Sequence, residues 1–180
     1  MALVLASRSP QRRAILEQLG VTFAVRPTDA EELAQGTPAE VALVNARRKA
    51  AACPAGAGEV VLGVDTLVAL DGVIHGKPRD AAHAAATLRA LGGRTHRVVS
   101  GLVIGGAEAV AVTAVAFREF PDAWIDWYVG TGEWDGRAGG YAIQGRGAAL
   151  VRGIEGDYLN VVGLPVAALL DVAPWLLAPA

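Results

Sequence analysis

Residues 58–80 read GEVVLGVDTLVALDGVIHGKPRD. A long run rich in valine and leucine meets Asp71-Gly72 and then a second, shorter apolar run, which predicts a β-hairpin turning at the Asp-Gly pair. Two residues stand out. Asp65 is a carboxylate with apolar residues on both sides, and a buried charge is costly unless it is paired. It is either a satisfied structural aspartate or a group placed in apolar surroundings for general-base or metal-binding work. Thr66 follows it and faces the other way if the strand continues. Lys77 sits between Gly76 and Pro78, on constrained backbone that suits a positioned ammonium.

Working outward from the hairpin, strands and helices alternate. On its N-terminal side, TPAEVALVNARRKAAA (37–52) has Thr37 as cap, Pro38 at the first helical position and apolar residues at helical spacing, with Lys49 late on the helix. Before it, VTFAVRPTDAEEL (21–33) reads as a strand ending at Pro27 and an acidic turn at Asp29, Glu31 and Glu32. The chain opens with a short buried strand over Leu3–Ala6. A helix follows, capped by Ser9, begun by Pro10 and ended by Gly20. On the C-terminal side, RDAAHAAATLRALGG (79–93) is a helix capped by Asp80. Two β-rich runs meet at Gly105-Gly106. A helix then starts at Pro121-Asp122, with Trp124, Trp127 and Tyr128 expected on one face. A glycine-rich stretch, a strand over 148–154, a turn over 155–160 and a last helix from Pro165 to about Val172 complete the chain. The expected class is α/β, with helices packed on a mixed twisted sheet.

The 180 residues suit one domain, of at most two small lobes, and an apolar fraction of 53% excludes a disordered chain. A net charge of -2 gives no general electrostatic case for nucleic acid or an anionic membrane, so any anion site is local. The first residues lack the basic and apolar regions of a signal peptide, so none is expected, no apolar run reaches the length of a membrane span, and the lone Cys53 excludes an internal disulfide. A reducing cytoplasm is the expected location, with Cys53 a packing residue. Of the basic residues 14 are arginine, so the two lysines, Lys49 and Lys77, attract notice.

Arg8, Arg12 and Arg13 crowd the start of the first helix, where the helix field opposes cations by roughly 0.3–1 kcal/mol. Cations at a helix N-terminus point to a phosphate ligand, and carboxylates near phosphate point to a divalent metal. Gln144, framed by glycines in AGGYAIQGRGA (138–148), has a side-chain amide able to donate and accept at once, as base-edge recognition requires. His75, His83 and His96 lack metal-site spacing and read as structural or surface residues. Neither a P-loop nor a dinucleotide-binding glycine motif is present, and no serine or cysteine has a histidine and acid beside it in sequence.

These segments together resemble the Maf family of nucleoside triphosphate pyrophosphatases. LASRSPQRRAIL, DAEE, RKAAA, LGVDTLV, GKPRD, GGRTHRVVSG, AGGYAIQGRGA and NVVGLP stand in the family's order and spacing. The resemblance implies an elongated mixed α/β fold with a central cleft, shared in outline with inosine triphosphate pyrophosphatases and usually assembled as a homodimer. It also implies hydrolysis of the α–β phosphoanhydride of a nucleoside triphosphate, with Mg²⁺ or Mn²⁺. By position, Asp65 matches the family's proton acceptor, Ser7 and Arg12 its first-loop serine and second arginine, Glu31 its acidic-turn glutamate, and Lys49 and Lys77 its two lysines. The metal is expected on Glu31 or Asp65. Three positions separate a branch acting on dTTP and UTP from one acting on 7-methyl-GTP, and here they are Gln11, Thr66 and Gln144. Thr66 and Gln144 match the pyrimidine branch. Gln11 matches neither, since the pyrimidine branch has arginine there and the other tryptophan. The competing reading is a non-catalytic nucleotide-binding regulator of septum formation, which needs the phosphate contacts without Asp65.

Overall fold

The computed structural model describes residues 1–177. Its strands are β1 (Ala2–Leu5), β2 (Phe23–Val25), β3 (Glu59–Leu70), β4 (Val73–His75), β5 (Thr95–Ile104), β6 (Ala107–Phe117) and β7 (Val151–Glu155). The helices are α1 (Pro10–Gln18), α2 (Pro38–Ala51), α3 (Ala81–Leu91), α4 (Asp122–Gly130), α5 (Tyr158–Val162) and α6 (Val166–Val172). The strands form a mixed twisted sheet in the order β2-β1-β3-β5-β6-β7, with β4 paired to β3. β1 runs parallel to both β2 and β3, whereas β3–β4 and β6–β7 are antiparallel.

The chain divides into two compact units, and β3, β5 and β6 contribute residues to both. The first comprises Met1–Thr66, Ser100–Ala111 and the segment from Gly163 onward. Here β1 is buried from Leu3 to Leu5, flanked by β2 and β3, and α1 leaves its C-terminal end after a short loop. Parallel strands joined through helices carry ligand sites at the carboxyl ends of the strands, which is where Ser7 and Ser9 lie.

α2 is seated unusually close to its strands. A Cβ on Gly63 of β3 would stand 2.3 Å from the Ala46 carbonyl oxygen, and one on Gly101 of β5 would stand 2.5 Å from the Leu43 nitrogen. Only residues without side chains permit this approach. It brings the Asn45 and Lys49 face of α2 down onto β3.

The second unit comprises Leu67–Val99 and Val112–Val162. The expected hairpin is present, with Leu70 opposite Val73 and positive φ angles at Asp71 (51°) and Gly72 (81°). A two-residue turn with both central residues left-handed matches the right-handed twist of the flanking strands. Its core gathers Leu88 and Leu91 of α3, Val115 and Phe117 of β6, and Ile125 and Tyr128 of α4.

Three local readings are corrected here. Trp124 and Trp127 are 42% and 48% exposed, so they do not share the buried face of Tyr128; Ile125 does. The rotation of α4 is set by the Tyr128 hydroxyl, which accepts a hydrogen bond from the Ala142 N–H at 2.9 Å and leaves both indoles outside. β7 begins at Val151, because residues 146–150 form a 3₁₀ turn, and Tyr158–Val162 is a short helix within what reads as a turn.

Candidate functional site

In the first unit two groups of polar side chains are built on adjacent residues of β3. The first is centred on Arg12. Ser9 caps α1 and accepts from the Arg12 backbone N–H at 3.4 Å, which fixes where the first turn presents the Arg12 side chain. Arg12 is 9% exposed. Its Nε donates to the Gly163 carbonyl at 2.8 Å, Nη1 to Ser7 Oγ at 3.0 Å and Nη2 to Thr66 Oγ1 at 3.1 Å. Thr66 Oγ1 also lies 2.8 Å from Ser100 Oγ. Gly163 has φ of +133°, a backbone state that favours glycine and lets its carbonyl meet the guanidinium.

Each of these three acceptors is neutral. Burial pushes the Arg12 guanidinium below its ordinary pKa, while the fields of Asp65 and Glu32 push it back up. A buried, forked cation held by hydroxyls and a carbonyl is a ready partner for a phosphate oxygen.

The neighbouring arginines are different. Arg8 pairs with Asp29 at 2.8 Å and Arg13 with Glu17 at 2.7 Å, all four side chains being well exposed. Such surface pairs contribute about 0.2–1 kcal/mol and relieve the crowding locally. Gln11 is half-buried, and its Oε1 accepts from Ser9 Oγ at 3.2 Å, so it braces the capping loop.

The second group surrounds Asp65, which is 6% exposed. Lys49 Nζ lies 2.5 Å from Asp65 Oδ1 and 2.7 Å from Glu32 Oε1, bridging the two carboxylates. Asn45 Nδ2 donates to Asp65 Oδ2 at 3.1 Å. Asn45 and Lys49 are four residues apart on α2 and therefore share a face. A carboxylate has about four lone-pair sites, so two such contacts leave capacity to accept from a water. Glu31 is exposed, and its backbone carbonyl accepts from Arg48 Nη1 at 2.9 Å; the side chain that reaches Lys49 from the acidic turn is that of Glu32.

Among the described residues no group of three or more His, Cys, Asp and Glu side chains gathers as a metal cage. The pair Asp65 and Glu32 offers hard oxygen donors and already brackets one cation, the Lys49 ammonium. That donor set fits a small divalent ion that keeps part of its shell on phosphates, as Mg²⁺ commonly does.

The second unit holds Lys77 and Gln144, both exposed. The loop bearing Lys77 is fastened to the glycine run, since the Gly139 N–H donates to the Gly76 carbonyl at 3.1 Å and a Cβ on Gly140 would stand 3.0 Å from Pro78 Cγ. The run itself is held at three points. Tyr128 accepts from Ala142, as above, and burial pushes its phenol up to about 12. His96 Nε2 lies 2.8 Å from the Tyr141 hydroxyl, with its ring edge-on to Phe117. Glu133 Oε2 accepts from the Arg146 N–H at 2.7 Å, next to Gln144. Gln144 is thus displayed on a braced turn. Burial pushes His96 down to about 4, in keeping with a structural, neutral imidazole.

Of the residues singled out in sequence, the structure joins Ser7, Arg12 and Thr66 in one network and Lys49 with Asp65 in another. Asn45, Glu32, Ser100 and Gly163 were not anticipated as members. Asn45 carried a readable signal, an asparagine in mid-helix on the buried face. The Gly163 carbonyl carried none, being 151 residues from its partner.

A family model described as Maf-like protein matches residues 2–173. A protein of Anaeromyxobacter dehalogenans (strain 2CP-C) named dTTP/UTP pyrophosphatase is 51% identical over 175 residues, covering 92% of this chain and 89% of its own. Proteins with the same name from Pelotomaculum thermopropionicum (strain DSM 13744 / JCM 10971 / SI) and Pyrococcus furiosus (strain ATCC 43587 / DSM 3638 / JCM 8422 / Vc1) are 46% and 42% identical over 180 residues. They cover 94% of this chain in both cases, and 94% and 93% of their own.

Proposed function

The chain belongs to the Maf family, and from that premise we propose that it is a nucleoside triphosphate pyrophosphatase acting on dTTP, UTP and modified pyrimidine triphosphates. The observation that carries the reading is the buried Arg12 guanidinium, which donates to three neutral acceptors and lies in the fields of Asp65 and Glu32. It supplies the cation for a phosphate beside a carboxylate that can take a proton. The relatives' names supply the substrate.

In the proposed reaction Asp65 accepts a proton from water as its oxygen bonds the α-phosphorus. The α–β bridging bond then breaks, and pyrophosphate leaves from the nucleoside monophosphate. Arg12, Lys49 and Lys77 offset charge gathering on the phosphoryl oxygens. A divalent cation, Mg²⁺ or Mn²⁺, would be held by Asp65 and an acidic-turn glutamate, Glu32 or Glu31, and would neutralise and orient phosphate oxygens. Thr66 acts through Arg12, whose Nη2 it receives. Gln144, on its braced turn, offers both a donor and an acceptor to a base edge. The same reading makes the protein a cytoplasmic homodimer, which light scattering on the purified protein checks for assembly.

The test is pyrophosphate release by purified protein with Mg²⁺ or Mn²⁺ and dTTP, UTP, CTP, modified pyrimidine triphosphates or 7-methyl-GTP. Fastest turnover on dTTP and UTP supports the reading. Preference for 7-methyl-GTP would move the protein to the other branch, and no turnover on any triphosphate would overturn the activity itself.

A further inference from the structure

Asn45 lies in the interior of α2, 2% exposed, in a helical position that an apolar residue would fill with better helix propensity. Its placement is explained by its partners. Oδ1 accepts from the Leu33 N–H at 2.6 Å, and Nδ2 donates to the Leu33 carbonyl at 3.1 Å. Because Leu33 offers one donor and one acceptor, the amide has a single orientation. The remaining N–H then has one polar target, Asp65 Oδ2, at 3.1 Å. One helical turn later Lys49 holds the other oxygen, Oδ1, at 2.5 Å. Two donors from one helix face, each on its own oxygen, fix the plane of the carboxylate. The same amide fastens the backbone next to Glu32, which shares Lys49 with Asp65.

We propose that Asn45 is a positioning residue for catalysis, orienting Asp65 and clasping the acidic turn at Leu33 in one contact set. The proposal rests on Asp65 being the proton acceptor of the proposed function. Outer partners that orient a reacting carboxylate typically change activity by about 10–100-fold when removed.

Two variants separate the two contacts. Asn45→Asp keeps an oxygen for the Leu33 N–H but has no donor for Asp65 and sets a second carboxylate beside it. Asn45→Leu removes both contacts while continuing the apolar stripe. In an active wild type, Asn45→Asp is expected to lose about 100-fold in kcat and Asn45→Leu about tenfold, with KM for dTTP within about threefold of wild type in both. Hydrogen exchange of the Leu33 amide should stay slow in Asn45→Asp and quicken in Asn45→Leu. Folded variants with wild-type kcat, or losses confined to KM, would overturn the proposal. If neither variant folds, Asn45→Ser, small and polar, takes their place in the same comparison of kcat and KM. A wild-type Leu33 amide exchanging as fast as exposed loop amides would overturn the clasp. An inactive wild type overturns the functional reading instead, and the two failures are told apart by that control.

Discussion

Lys49 Nζ sits 2.5 Å from Asp65 Oδ1, an ion pair formed between the late part of α2 and the middle of β3. Lys49 is thereby placed between the carboxylate proposed to take a proton and the acidic turn that supplies Glu32. Asp65→Asn keeps the shape but removes the proton acceptor, and because its NH2 cannot accept, it can keep only one of the contacts from Lys49 and Asn45. It should lower kcat by about 10³-fold, measured as pyrophosphate release, while circular dichroism remains that of the folded protein.

Arg12→Lys tests whether charge alone suffices. An ammonium cannot reproduce three hydrogen bonds, to Gly163, Ser7 and Thr66, in one planar fork. The expected loss in kcat/KM for the triphosphate is about 100-fold despite the retained charge. A variant within a few-fold of wild type would show that the fork is dispensable.

The seating of α2 predicts an effect at a distance from any substrate atom. In Gly63→Ala the new Cβ meets the Ala46 carbonyl oxygen at 2.3 Å, and in Gly101→Ala it meets the backbone at Ala42 and Leu43. Each should destabilise the protein by about 1–3 kcal/mol in denaturant unfolding, since the contacts are backbone that can relieve the clash only by moving the helix. Each should also lower kcat, because Lys49 and Asn45 move with α2.

His96 makes stability depend on pH. Burial holds its folded-state pKa at about 4 against an ordinary 6.5. The unfolded chain therefore binds the proton more readily. The stability contributed by the neutral imidazole is fully present above 6.5 and is lost as pH falls from 6.5 towards 4. The span corresponds to about 3 kcal/mol. His96→Gln keeps a group able to reach Tyr141 and should flatten the fall of unfolding free energy with pH across that window relative to wild type. Equal slopes in the two proteins would contradict this.

Most of the fold was legible because its signals are local. Ser9, Thr37 and Asp80 cap helices as their sequence context requires, and Asp71-Gly72 turns the hairpin with the backbone angles its chemistry favours. The pairing of Lys49 with Asp65 was foreshadowed by two residues that broke their patterns. What stayed hidden depends on partners remote in sequence. The exposure of Trp124 and Trp127 follows from the Tyr128 bond to Ala142, and Arg12 is completed by a carbonyl near the C-terminus. The choice of Glu32 rather than Glu31 for Lys49 is set by where Asn45 and Arg48 pin the turn, which spacing alone does not encode.

Asp65 and Thr66 are consecutive on β3, yet one serves α2 and the other serves Arg12, because successive side chains of a strand project to opposite sides. The two halves of the site are thus tied to the parity of the strand. Inserting a single residue between Glu59 and Val64 would present Asp65 to Arg12 and Val64 to Lys49, and deleting one would present Thr66 to Lys49 and Leu67 to Arg12, so either change leaves one of the two partners facing an apolar side chain. A one-residue change of length before Asp65 therefore disrupts both halves of the site at once unless a β-bulge absorbs it, whereas a substitution in the strand touches one side of the sheet only.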